Sequence, residues 1–105
     1  MSRTYAVTWE EQGVPSRAGK LELLSDGLSL EGSNGGGPST LVVPYDELLG
    51  LRLAPSGQRL GGRPTLMVDL GERGILRLAS IAAPGAVSEI ADELSALRRA
   101  SAGRR

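Results

Sequence analysis

The hydrophobic pattern of this chain changes its period once, and that change constrains the fold more than any other feature. From Thr4 to about Ser80, apolar residues alternate with polar ones in short runs; Tyr5, Val7 and Trp9, for example, share one face. Alternation at every second residue is typical of half-buried β-strands. Only the last part of the chain has the longer period of a helix. Strands followed by a terminal helix predict an antiparallel sheet that one helix covers.

The C-terminal segment has the spacing of an amphipathic helix. Its apolar residues fall on one helical face, and they are Val87, Ile90, Ala91, Leu94 and Leu97. Acidic residues precede basic ones along this segment, which complements the helix dipole. The leucine-rich faces of the strands and this stripe must bury one another. We therefore predict a mainly β fold, a β-barrel or orthogonal sandwich of seven antiparallel strands capped by one C-terminal α-helix.

Turn signals divide the strand region into seven segments. Asp26-Gly27 and the stretch from Gly71 to Gly74 each join two alternating runs, and we expect positive φ angles in the Asp26-Gly27 turn. The predicted strands span 4–11, 18–24, 27–31, 40–44, 48–54, 64–70 and 74–80, and the helix spans 85–99. At 105 residues the chain is long enough for one core. A single domain is predicted over 1–100, with a flexible tail at 101–105.

Missing residue types argue against catalysis. The chain has no cysteine and no histidine, so it lacks thiolate metal ligands, a thiol nucleophile and the commonest general base. Neighbouring acids such as Glu10-Glu11 point in different directions on a strand, which favours solvation over acid–base chemistry. We predict a noncatalytic protein with no cofactor and no metal. A small enzyme with a pocket of convergent acids is the least favoured alternative.

The charge balance also narrows the classes of partner that the protein is expected to bind. Twelve basic and twelve acidic residues cancel, whereas nucleic-acid binders usually carry a basic surplus on one stripe. We therefore predict no nucleic-acid binding. Arginine supplies eleven of the twelve basic residues, a bias typical of GC-rich genomes. No apolar run approaches the ~20 residues of a membrane span and the N-terminus lacks a signal peptide, so we expect a cytoplasmic location.

The order and spacing of these segments resemble a pleckstrin-homology-like (PH-like) domain, of the small single-domain bacterial type. The resemblance covers about 95 residues, and it depends on the Asp26-Gly27 hairpin, the stretch from Val43 to Leu51 and the hairpin before the helix. It implies seven strands in two near-orthogonal sheets with a helix at one end. Many members carry a tryptophan in that helix, whereas the only tryptophan here is Trp9.

Loop cations are the main candidates for a binding site. The family resemblance places Arg17 and Lys20 beside the first loop and Arg73 in the sixth loop, which lies near the first in the family. We hypothesise that these three form a small anion pocket, and solvated loop charges are the alternative. Members that bind phosphoinositides cluster basic residues in the first loop, where this chain begins with Glu10-Glu11. The lipid activity is therefore not expected to carry over.

Two glycine-containing loops are interpreted as connections. Gly35-Gly36-Gly37 leads through Pro38 into a strand, whereas a phosphate loop leads into a helix whose N–H groups meet the anion. The loop with Arg59 and Arg63 is interpreted as mobile rather than binding. Neither loop supports a phosphate site at the level of sequence.

The functional prediction is a noncatalytic interaction module that binds a protein or peptide. Such a partner would add a strand to a free sheet edge or occupy a groove between an edge and the helix. Pro44 and an unpaired first strand mark the expected edges, through which homo-oligomers are also plausible. The alternative is a peripheral membrane or anionic-ligand module that uses Arg17, Lys20 and Arg73.

Overall fold

Seven β-strands precede one α-helix in the computed structural model, which describes residues 3–11, 15–33, 37–82 and 85–102. The elements are β1 (Arg3–Glu11), β2 (Arg17–Leu23), β3 (Gly27–Ser33), β4 (Pro38–Pro44), β5 (Gly50–Leu53), β6 (Thr65–Asp69), β7 (Ile75–Ser80) and α1 (Ala86–Ala102). The predicted seven strands and C-terminal helix are confirmed. The helix extends three residues past its predicted end, into the first part of the predicted tail, and residues 103–105 lie outside the described residues.

The strands form one continuous antiparallel sheet in the order β4-β3-β2-β1-β7-β6-β5. Strand β1 pairs with β2 along one side and with β7 along the other, through pairs such as Trp9 with Arg17 and Trp9 with Leu78. The expectation that the first strand is an edge is therefore wrong. Because β4 and β5 do not pair, the sheet is not closed into a barrel, and these two strands are its edges.

The hydrophobic core lies between the curved sheet and α1. Alternation along the strands places Trp9, Leu21 and Leu78 on the inner face, and all three are buried. The helix contributes Val87, Ile90 and Leu94 to the same cluster. Trp9 is completely buried, which confirms its assignment to the core. The residues that the helix packs into or against this core are all aliphatic.

Both predicted hairpins form, although one uses a different backbone conformation from that expected. Asp26 and Gly27 have negative φ, and Gly27 already belongs to β3. A Cβ at Gly27 would lie 2.7 Å from the Val43 carbonyl oxygen, so close strand approach explains this glycine. In the second hairpin Gly71 and Gly74 adopt φ of 66° and 93°. The left-handed region favours glycine at both positions.

Candidate functional site

The structure gives each of the three predicted anion-binding cations a carboxylate partner. Arg17 Nη1 lies 2.8 Å from Glu11, and Arg73 Nη1 lies 2.9 Å from Glu47. Lys20 Nζ lies 3.7 Å from a glutamate directly opposite it on β3. Because Glu11 pairs with Leu76 of β7, the hairpin that contains Arg73 and the end of β1 lie at the same end of the sheet. The charge that these cations would offer to an anion is nevertheless largely compensated.

Two side-chain nitrogen atoms near the Arg17–Glu11 ion pair have no hydrogen-bond acceptor. Trp9 Nε1 and Arg17 Nε are buried without a partner, and these residues face one another across β1 and β2. The Arg17 side chain is only 16% exposed, so its guanidinium is directed along the protein surface towards Glu11 rather than into solvent. This position fits a structural arginine better than a free ligand-binding cation.

The free edge of β4 is flanked by prolines. The Tyr45 N–H donates to the Asp26 carbonyl at 3.2 Å, and ladder hydrogen bonds alternate along an antiparallel strand. Odd-numbered residues of β4 therefore bond to β3, and even-numbered residues direct their backbone groups to the free edge. Pro38 and Pro44 are even-numbered and have no N–H. Only positions 40 and 42 of β4 therefore present a donor at this edge.

The free edge of β5 carries no proline at its outward positions. The Ala54 N–H donates to the Thr65 carbonyl at 2.8 Å, so even-numbered residues of β5 bond to β6. The N–H and C=O groups of Leu51 and Leu53 therefore point away from the sheet. No proline lies within this strand. Four backbone groups are thus available to an added strand.

Leucine side chains form the rim of the β5 edge. Leu49 and Leu53 are 59% and 58% exposed, and Leu51 between them packs partly against the core. Arg98 of α1 donates from Nη2 to the Leu49 carbonyl at 2.8 Å and connects the end of the helix to the start of this edge. We call the surface formed by Leu49, Leu51, Leu53 and Arg98 the β5 rim. Sequence reasoning proposed an edge or edge–helix groove but did not identify this one.

A polar pocket lies on the outward face of the sheet, away from the core. Strands β1 and β7 contribute Glu10 and Arg77, and the connection between β5 and β6 contributes Arg59 and Arg63. Arg77 forms an ion pair with Glu10 and donates to the Gln58 carbonyl at 3.3 Å. The connection, which the sequence analysis interprets as a mobile loop, contains two 3-10 turns.

Tyr45 begins the 3-10 turn that lies between β4 and β5 in the chain. Its side chain is completely buried in the 3-10 turn after β4, and its hydroxyl donates to the Leu24 carbonyl at 2.5 Å. Burial raises the pKa of Tyr45 to about 12, and the nearby Asp26 carboxylate adds to this increase. A group with such a pKa is protonated at neutral pH. Tyr45 therefore acts here as a hydrogen-bond donor and not as a base.

The described residues show neither a metal centre nor a membrane-spanning helix. No group of three or more metal-ligating acidic, cysteine or histidine side chains is found among them. No helix in this part of the chain has the length and apolar character that crossing a bilayer requires. The Gly35-Gly36-Gly37 motif falls largely outside the described residues, which resume at Gly37.

Comparisons with known proteins bear on the fold. No protein-family model matches the chain, and no curated protein matches it. Among solved structures, the C-terminal domain of an unknown protein from Leishmania infantum is similar, with a TM-score of 0.64 and 14% identity over 88% of this chain and 81% of that one. The pleckstrin homology (PH) domain of USP37 is similar with a TM-score of 0.55 and 20% identity over 93% of this chain and 96% of that one. The chain has a pleckstrin-homology-like fold.

Proposed function

We propose that this protein is a noncatalytic interaction module that binds an extended segment of a protein partner at the β5 edge. The observation that carries the proposal is the combination of outward backbone groups and exposed leucines at the β5 rim. Each edge offers two outward N–H groups, but prolines bound those of β4 at both ends. The outward positions of β5 carry no proline and lie beside the exposed side chains of Leu49 and Leu53. PH-like folds are often binding modules, which supports an interaction role.

The β5 rim fits a short extended peptide. An added antiparallel strand would exchange two hydrogen bonds with Leu51 and two with Leu53, because both residues direct their N–H and C=O groups outwards. The exposed side chains of Leu49 and Leu53 lie at alternate positions on either side of Leu51. They would contact apolar peptide residues spaced four apart, with the peptide residue between them opposite Leu51. We therefore expect a peptide of about five residues with alternating apolar side chains.

Two proline substitutions test which edge is used. Leu53→Pro and Val42→Pro each remove an outward N–H from an edge strand without breaking a ladder hydrogen bond. The replaced side chains are similarly exposed, at 58% for Leu53 and 55% for Val42. The two variants should therefore lose similar, small amounts of stability. They differ in the edge that they block.

The measurement begins with peptides selected from a displayed random library against the wild-type protein. Binding of each synthetic peptide is then measured by fluorescence polarisation against wild type, Leu53→Pro and Val42→Pro. We expect Leu53→Pro to abolish binding and Val42→Pro to leave it unchanged. Selected peptides that bind Leu53→Pro as tightly as wild type would contradict the proposal, as would a selection that yields no binder.

The alternative of an anionic-ligand module at Arg17, Lys20 and Arg73 stays a prediction. Each of these cations has a carboxylate within 4 Å, so no observation favours that site over the β5 edge. Replacing Arg17 and Lys20 by alanine and titrating with an anion remains the direct test. A loss of anion-induced NMR shifts in that variant would favour the alternative.

A further inference from the structure

We propose that the pocket on the outward face of β1 and β7 binds a phosphate monoester. The pocket has a volume of about 510 Å³ and is covered on one side by the connection that contains Arg59 and Arg63. Pockets for small molecules usually enclose about 300–1,000 Å³. This surface is separate from the β5 edge, so the inference does not depend on the proposed function.

The charges of the pocket do not cancel, although those of the whole chain do. Three guanidinium groups and one carboxylate line it, from Arg59, Arg63, Arg77 and Glu10. Glu10 is occupied by its ion pair with Arg77. Arg59 and Arg63 are exposed, and neither forms an ion pair within the described ranges 3–11, 15–33, 37–82 and 85–102. Two positive charges are therefore left for a ligand.

The connection that carries these two arginines is held in place by one buried threonine. Thr65 is 1% exposed; its Oγ1 accepts the Leu60 N–H at 2.9 Å and donates to the Arg63 carbonyl at 2.8 Å. The Arg63 N–H also donates to the Leu60 carbonyl at 3.0 Å. Gly61, between them, adopts φ of 57°, which allows this tight turn. The backbone that positions Arg63 is thus fixed before a ligand arrives.

The third arginine is also fixed from two sides. Arg77 pairs with Glu10 on β1 and donates to the Gln58 carbonyl in the connection. Its side chain therefore links the sheet to the first 3-10 turn of the connection. Because the backbone near Arg63 and the Arg77 side chain are already held in place, a ligand would lose less affinity to ordering the connection.

The charge of the pocket matches a phosphate monoester better than a carboxylate. Such a group carries a charge of about −1.5 to −2 at neutral pH and three strong acceptor oxygens. Two uncompensated guanidinium groups match that charge, and their planar forks match oxygen pairs of a phosphate. A carboxylate would leave one positive charge without a partner. Leu60 and Ile81 also line the pocket and would contact the carbon skeleton of the ester.

The test is an NMR titration of the full chain with glycerol 3-phosphate at constant ionic strength. We expect amide shifts confined to the pocket, at Arg59 to Arg63, Arg77 and Ile81, with glycerol giving none. The variant Arg59→Gln/Arg63→Gln should weaken binding by about ten-fold or more, since charge-assisted hydrogen bonds are the strong ones. The control Arg52→Gln/Arg99→Gln removes the same charge at two exposed arginines outside the pocket, and its affinity should equal that of wild type.

A second arm distinguishes a soluble ligand from a lipid headgroup. Phosphatidic acid presents the same monoester on vesicles, and co-sedimentation measures its binding to the wild-type and variant proteins. Binding of glycerol 3-phosphate that depends on Arg59 and Arg63 supports a soluble ligand, and such dependence with vesicles alone supports a headgroup. Equal weakening by the control variant, shifts centred on Arg17, Lys20 and Arg73, or binding to neither probe would overturn the proposal.

Discussion

Replacing Tyr45 by phenylalanine tests how the segment that follows β4 is anchored to the β2–β3 turn. The hydroxyl of this completely buried side chain donates to the Leu24 carbonyl at 2.5 Å, and the Tyr45 N–H donates to the Asp26 carbonyl. The side chain thus connects the β2–β3 turn to the segment that leaves β4. Tyr45→Phe removes one buried hydrogen bond and leaves an unpaired carbonyl, so we expect a loss of about 1 kcal/mol at neutral pH.

The same substitution should change how stability depends on alkaline pH. Burial, with a contribution from Asp26, raises the pKa of Tyr45 from 10.0 to about 12, so the folded protein retains this proton after the unfolded chain has lost it. The resulting stability is fully present below the unfolded pKa and is lost as pH rises from about 10 to about 12. At about pH 11, one pKa unit above the unfolded value, the loss is about 1.4 kcal/mol.

Urea unfolding followed by the fluorescence of Trp9 measures both effects. Trp9 is the only tryptophan and is completely buried, so its emission reports global unfolding. Free energies of unfolding are compared between wild type and Tyr45→Phe at about pH 7, 9 and 11. All other titrating groups are shared, so the difference between the two proteins isolates Tyr45. If the two profiles stay parallel between about pH 9 and about pH 11, the buried-tyrosine argument is refuted.

Two further predictions concern close packing. Gly32→Ala should destabilise the protein by about 1–3 kcal/mol or more, because the new Cβ would lie 2.7 Å from Trp9 Cη2 and closer still to a backbone carbonyl. Gly57→Ala, where a new Cβ would meet open space, should change the stability by no more than about 0.5 kcal/mol. Thermal unfolding measures both variants. Leu94→Ala, at a completely buried helix position, should cost about 2–5 kcal/mol in urea unfolding, whereas Leu49→Ala, at an exposed position, should cost under about 0.5 kcal/mol. Equal losses within either pair would contradict the packing described.

Local patterns in the sequence were sufficient to predict the elements but not their neighbours. Alternation identifies which residues face a core, and turn residues identify where a strand ends, so every predicted strand boundary lies within two residues of the observed one. Neither signal shows that β1 lies between β2 and β7. The pairing of Val7 with Ser80 joins distant parts of the chain, and it converts the expected edge strand into a central one.

The observed register of β2 and β3 explains one ion pair of the predicted site. A turn with Asp26 and Gly27 at its centre would place Lys20 opposite Ser33, whereas the observed turn pairs Leu24 with Gly27 and places Lys20 opposite Glu31. An ion pair between opposite residues on paired strands was therefore predictable only once that register was known. The pairing of Arg73 with Glu47 was not, because these residues approach only through the packing of a 3-10 turn against a hairpin. The register explains one partner, and tertiary packing explains the other.

The two sheet edges give the clearest link between sequence and function. A proline at an outward position costs no ladder hydrogen bond, and it prevents unwanted strand pairing. The chain places prolines at two such positions of β4 but at neither Leu51 nor Leu53 of β5. The same protection is sterically compatible with Leu53, whose side chain is 58% exposed. An edge that a sequence leaves open, next to exposed leucines, is the edge at which a binding partner is expected.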